Sequence, residues 1–224
     1  MSMKKTIHFF GDSFTEGHAL SKSPGIWPKL VAKGLDLNYK NYAEGAASPL
    51  FIIHQIIREL TNINSGDTVI VLETIPDRVE LYSNKLDSIV SVTNGALADA
   101  LEGDLDYNYF NSKAEVKTAF EFIYDHRYKK LGAFAKYYTK ILKDFKKYFE
   151  SINVNFILIS YLLSFDNIKY GDKFETNKSL SKGKNKDAHF TLKGHWQFAK
   201  YVSDIYYNGN IKLPKEPKRT DYIL

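Results

Sequence analysis

Cysteine is absent from the 224 residues of this chain. That excludes disulfides, thiolate nucleophiles and cysteine-based zinc sites. Long hydrophobic runs are missing as well, and no stretch approaches the roughly 20 apolar residues of a membrane span. The opening segment MSMKKTIHFFGDS is basic and then apolar, as a signal peptide is. Its apolar part is too short, however, and runs straight into a turn, so it reads as a first strand. A soluble, cytoplasmic protein is the expectation. Other absences narrow the chemistry. The stretch Gly11 to Gly17 lacks the Lys-Ser/Thr that closes a P-loop and the Gly-x-Gly-x-x-Gly of dinucleotide folds. No Gly-x-Ser-x-Gly elbow occurs. His189 and His195 are six apart, unlike a metal pair on one helix face, and no acidic cluster joins them, so neither a metal nor a cofactor is expected.

Charge of one sign is only mildly in excess, at a formal +5. The basic residues are scattered apart from KDFKKYF and the tail KLPKEPKR, and no nucleic-acid motif accompanies them. The aromatic residues interleaved in YYTKILKDFKKYF have helical spacing, so that segment reads as a solvated helix face rather than a nucleic-acid surface. With 44% hydrophobic and 15% aromatic residues, the chain can bury a substantial core in one domain spanning 1–224, closed by a tail over 208–224.

What is present is an alternation of strands and helices. Apolar runs at 5–10, 68–73 and 154–160 read as buried strands, and 37–42 as a short second strand. Amphipathic spacing predicts helices over 27–35, 49–62, 113–150 (interrupted near Gly132) and 191–207. The stretch 81–101 reads as partly helical and irregular. Strands that are apolar throughout, separated by helices, imply an α/β fold with a central parallel sheet covered on both faces. The segment 76–151 is too long for a plain crossover, and part of it is expected to form a helical cap. In such sheets sites lie outside the carboxyl ends of the strands, and Ser13, Gly45 and Thr74 each fall just past one.

The corner GDSFTEG at 11–17 is, by residue type alone, turn chemistry. It also places a serine where a nucleophile could stand, and a serine hydroxyl needs a base to take its proton. Of the six histidines, His8 lies in a strand, while His54 and His126 lie in helices. His189 has Asp187 two residues before it and the helix-starting Thr191 after it, which suits a base whose other ring nitrogen meets a carboxylate. His195 reads as a capping or packing residue. Tyr107, Tyr109 and Phe110 could line a cleft, or pack beneath a helix.

Gly11-Asp12-Ser13-Phe14-Thr15-Glu16-Gly17 resembles the first block of the SGNH hydrolases, the GDSL esterases and lipases. NYAEGAAS is similar to their second block and the segment from His189 through Gly194 and His195 to their last. The resemblance implies a flavodoxin-like three-layer α/β/α sandwich with a helical insertion after the third strand. It implies a serine esterase acting on small acyl esters, O-acetyl groups on carbohydrate among them, with Ser13 as nucleophile and His189 as base. The amides of Ser13 and Gly45 would hold the oxyanion. A small-molecule or glycan ester is then the partner. Two positions depart from the family pattern. Pro76 stands where the third-block asparagine is expected and cannot donate, leaving Thr74, the favoured replacement, or Arg78. Lys186 stands where the acid is expected, leaving Asp187 or a Ser-His dyad with a backbone carbonyl. Acyl transfer to a sugar hydroxyl, and a weakly catalytic glycan- or acyl-binding module, remain open at this stage.

Overall fold

The computed structural model describes residues 4–18, 20, 22–76, 78–102, 109–126, 131–160, 162–163, 168–169, 174 and 189–217. Four parallel strands form the central sheet in the order β2-β1-β3-β6. These are β1 (Thr6–Phe10), β2 (Asn38–Asn41), β3 (Thr68–Leu72) and β6 (Asn155–Ile159). The register sets Phe9 beside both Asn41 and Ile70, and Val71 beside Leu158.

Alternation along each strand then divides the core between two faces. Ile7, Phe9, Ile70, Leu72, Ile157 and Ile159 point to one side. There they meet Trp27 and Val31 of α2 (Trp27–Gly34) and Phe198 and Val202 of the last helix, α7 (Leu192–Tyr206). Phe10, Val69, Val71 and Phe156 point to the other, against Ile52 and Ile56 of α3 (Pro49–Glu59) and Leu142 and Phe149 of α6 (Leu131–Ser151). Both faces of β1, β3 and β6 are therefore covered, while the edge strand β2 stays largely exposed, giving the expected three-layer α/β/α sandwich.

The insertion after β3 differs in detail from the sequence reading. Between β3 and α6 the chain forms an antiparallel hairpin, β4 (Val79–Ser83) with β5 (Ser88–Val92). Then come α4 (Asn94–Glu102) and α5 (Lys113–His126). Only the second part of the stretch 81–101 is helical. The first part alternates buried and less buried residues at period two, as VELYS and SIVSV, around a turn in which Asp87 takes a positive φ of 49°. Val79, Val90, Val92, Leu97, Val116 and Ile123 give this insertion its own small core. Helix α6 belongs to the sandwich itself, as the crossover into β6.

Candidate active site

β1 ends at Phe10, and after Gly11 and Asp12 the chain turns at once into the short helix α1 (Ser13–Glu16). Asp12 is its N-cap and accepts from Phe14 N at 3.0 Å. Both flanking glycines are required by space. A Cβ on Gly11 would lie 2.3 Å from Thr15 Oγ1, and one on Gly17 2.6 Å from Ile26 Cγ2. Gly17 also closes the helix at a φ of +83°, a conformation that favours glycine. The indole of Trp27 donates to Phe14 O at 3.0 Å and Asn41 Nδ2 to Thr15 O at 2.9 Å, pinning the turn to the sheet edge. Ser13 begins the helix, so its amide is among those with no intrahelical acceptor.

His189 reaches Ser13 from the far end of the chain, with Nε2 2.7 Å from Ser13 Oγ. Its position follows from its neighbours. Phe190 is buried in the core, and Thr191 caps α7 by accepting from Gly194 N at 3.0 Å. The imidazole stacks on His18 at a centroid distance of 4.2 Å and tilts against Phe14 at 5.2 Å. His195 lies one turn into α7, almost wholly buried, with its ring edge-on to Phe190. Burial first, and then the neighbouring His189, push its pKa down to about 3. It packs, as its place in the sequence suggested.

Behind the serine turn sits a buried ionic network. The fully buried Asp12 carboxylate accepts from Thr74 Oγ1 at 2.8 Å and from Arg78 Nη1 at 2.9 Å. Arg78 Nη1 also lies 3.0 Å from Thr74 Oγ1 and 3.4 Å from Ala47 O. A threonine hydroxyl has one hydrogen to give. In this arrangement Thr74 gives it to Asp12, so the residue favoured by the sequence as an oxyanion donor is engaged in holding the serine turn. Gly45 lies beside that turn: Glu44 N donates to Gly11 O at 3.3 Å, and a Cβ on Gly45 would stand 3.1 Å from Glu16 Oε2.

The structure thus brings Ser13 and His189 into hydrogen-bonding contact, sets Gly45 beside α1, and gives Thr74 and Arg78 to Asp12. Asp187, Lys186 and Tyr107 lie outside the described residues. Tyr109 is partly exposed on the wall of a cleft, and Phe110 packs against the insertion's core. Sequence reasoning missed the stacking of His18 on His189 and the joining of Asp12 to Arg78; the unpaired-looking cation in TIPDR was the available signal for the second. Among the described residues no group of three or more His, Asp or Glu could hold a metal ion. No helix among them is long and apolar enough to cross a membrane.

Two hollows adjoin this region. One, of about 140 Å³, is lined by Ile52, Thr74, Pro76, Tyr138 and Leu142. At its edge Glu73 accepts from Thr139 and Ser160, each at 2.9 Å. The other, of about 480 Å³, lies between α3 and the β4–β5 hairpin and has residues 44–47 in its wall.

No family model matches the chain, and no curated protein matches it. Among solved structures it is similar to a member of the lipolytic protein G-D-S-L family from Veillonella parvula DSM 2008. That match has 12% identity over 91% of this chain and 98% of the other, with a TM-score of 0.40. A putative lipolytic protein of the G-D-S-L family from Desulfitobacterium hafniense DCB-2 matches at 14% identity over 89% and 98%, with a TM-score of 0.41. A carbohydrate esterase, whose active site is described as having divergent catalytic and non-catalytic binding functions, matches at 14% identity. It covers 95% of this chain and 67% of its own, with a TM-score of 0.36. What Ser13 and His189 can do follows from their own geometry.

Proposed function

We propose that this protein is a serine esterase for small acyl esters, O-acetyl groups on carbohydrate being one such class. The observation that carries the proposal is the 2.7 Å contact between Ser13 Oγ and His189 Nε2. That is the distance at which an imidazole can take the serine proton as Oγ attacks a carbonyl carbon. The negative charge that develops on the carbonyl oxygen is held by the amides of Ser13 and Gly45. His189 returns its proton to the leaving alcohol, and the acyl group stays on Oγ. Water, deprotonated by His189, then releases the acid and restores the serine. Asp187, two residues before His189, is the acid assigned to orient the imidazole. Thr74 and Arg78 act behind the serine by fixing Asp12, the cap of its helix. The small apolar cavity beside Thr74 has room for a short acyl group rather than a long chain.

Hydrolysis of p-nitrophenyl acetate and butyrate by the wild type and Ser13→Ala, side by side, tests this. The mutant should lose at least about a thousandfold in turnover, since removing a triad member leaves only residual catalysis from binding and the oxyanion site. A folded wild type no faster than Ser13→Ala on either ester would refute simple hydrolysis and put acyl transfer or ligand binding in its place.

A further inference from the structure

The stacking of His18 on His189 serves no packing need of the fold. His18 is exposed and its ring belongs to none of the three cores. Yet that ring lies face to face with the imidazole that touches Ser13, at a centroid distance of 4.2 Å and 25° between the planes. The backbone explains how it comes to stand there. His18 N donates to Ser13 O at 3.0 Å, as does Gly17 N, and Leu20 N donates to Gly17 O at 2.7 Å. The turn that begins with the serine therefore ends with His18, and these bonds hold the two at a fixed separation.

We propose that His18 is a positioning residue for the base: its ring holds the His189 imidazole in the plane from which Nε2 meets Ser13 Oγ. That role rests on the esterase reading above. The stacked geometry fixes how His18 acts. Imidazole nitrogens donate and accept in the plane of their ring, so two nearly parallel rings do not share a hydrogen bond across their faces. His18 is thus neither a proton relay to His189 nor the group that orients it through Nδ1; it acts on the face of the ring. His189 is half-buried and His18 exposed, so His18 covers a face of the base that would otherwise meet water. A second ring contact comes from Phe14, tilted against His189 at 5.2 Å and itself held edge-on by the buried Phe190 at 4.8 Å. His189 is braced by Phe14 from the core and by His18 from the solvent side. Such bracing matters to rate, because displacing a catalytic group by about 1 Å can cost on the order of a hundredfold.

The test compares His18→Ala, His18→Leu and His18→Phe in the full-length protein with p-nitrophenyl acetate as substrate. Alanine and leucine should each lower kcat about tenfold, the rate equivalent of one ring-on-ring contact, while KM stays within about twofold. Phenylalanine keeps a flat ring without the two nitrogens and should recover most of the lost kcat. Urea midpoints of all three should match the wild type, since His18 is exposed. The ring protons of His189, followed by NMR, give a readout that needs no turnover. The stacked ring shifts them upfield; that shift should vanish in His18→Ala and persist in His18→Phe. A phenylalanine variant as slow as alanine would assign the effect to the ring nitrogens and overturn the proposal. A raised KM with kcat held would make His18 a substrate contact, and a midpoint that falls with kcat would make it structural; either overturns the proposal. So would an unchanged kcat in His18→Ala, or an unchanged His189 resonance. A wild type no faster than Ser13→Ala would instead refute the esterase reading, and with it the role in catalysis, while a ring shift lost only in His18→Ala would still uphold His18 as the residue that orients His189.

Discussion

Arg78 should matter to this protein more than its place just ahead of an inserted hairpin suggests. Its guanidinium lies 2.9 Å from a carboxylate, that of Asp12, which has no solvent exposure, while the arginine side chain itself is 13% exposed. Replacing Arg78 with methionine removes the guanidinium and leaves in place the bonds Asp12 accepts from Phe14 N and Thr74. Breaking a buried ion pair by removing one partner costs about 3–5 kcal/mol, and the partial exposure of Arg78 argues for the lower end, about 3 kcal/mol. With a urea m-value of roughly 2–3 kcal/mol/M, the midpoint should fall by about 1–1.5 M. The protein should still fold, since domains commonly have about 5–15 kcal/mol in hand. Turnover should fall with it, because Asp12 caps the helix that begins at Ser13. A double-mutant cycle with Asp12→Asn isolates the pair: the coupling should exceed about 1 kcal/mol, well above the few tenths seen between independent sites. Additive effects in that cycle, or an Arg78→Met protein matching the wild type in midpoint and turnover, would refute the reasoning.

The same geometry sets further expectations. His189→Ala should lower turnover on p-nitrophenyl acetate by about a hundred- to ten-thousandfold, with an unchanged urea midpoint showing that the fold is kept. Gly17→Ala forces a left-handed φ and a 2.6 Å approach to Ile26; it should cost about 1–3 kcal/mol and reduce turnover through the displaced serine turn, both measurable on one preparation. His195, held at a pKa of about 3 chiefly by burial, is neutral in the fold at pH values where the unfolded chain takes up a proton. Its stabilising contribution is therefore complete above about pH 6.5 and is lost as the pH falls toward 3, with roughly 2 kcal/mol gone by pH 5. His8, lowered by burial against the opposing pull of Asp67, acts in the same direction. Urea midpoints at pH 7 and pH 5 should converge less for the wild type than for His195→Asn, and an equal drop in both proteins would contradict the assignment.

Much of this was legible in the sequence where the signal is local. HFF and TVIVL are apolar without alternation because both faces of their strands are covered, and that alone marks a parallel sheet. The turn after β1 announces itself through Gly11 and Gly17, whose missing side chains the structure explains as close approaches to Thr15 and Ile26. His189 stood out because Thr191 marks the start of a helix. The illegible part is long-range. Thr74 and Arg78 lie 62 and 66 residues from Asp12, and nothing in TIPDR says which carboxylate they meet. From the sequence Thr74 reads as a candidate oxyanion donor; in the fold its hydroxyl donates to Asp12. The hairpin at 79–92 was obscured because exposed Tyr82 and Ile89 dilute its alternation, leaving a pattern that short windows cannot separate from an irregular helix.

The most direct test of the central claim is to expose the folded protein to a fluorophosphonate and locate the adduct by mass spectrometry. An activated serine should give one adduct, on the peptide 6–22 that contains Ser13. That adduct should be absent from Ser13→Ala and form far more slowly in His189→Ala. An unlabelled wild type, or an adduct that persists in Ser13→Ala, would contradict the assignment of Ser13 as the nucleophile.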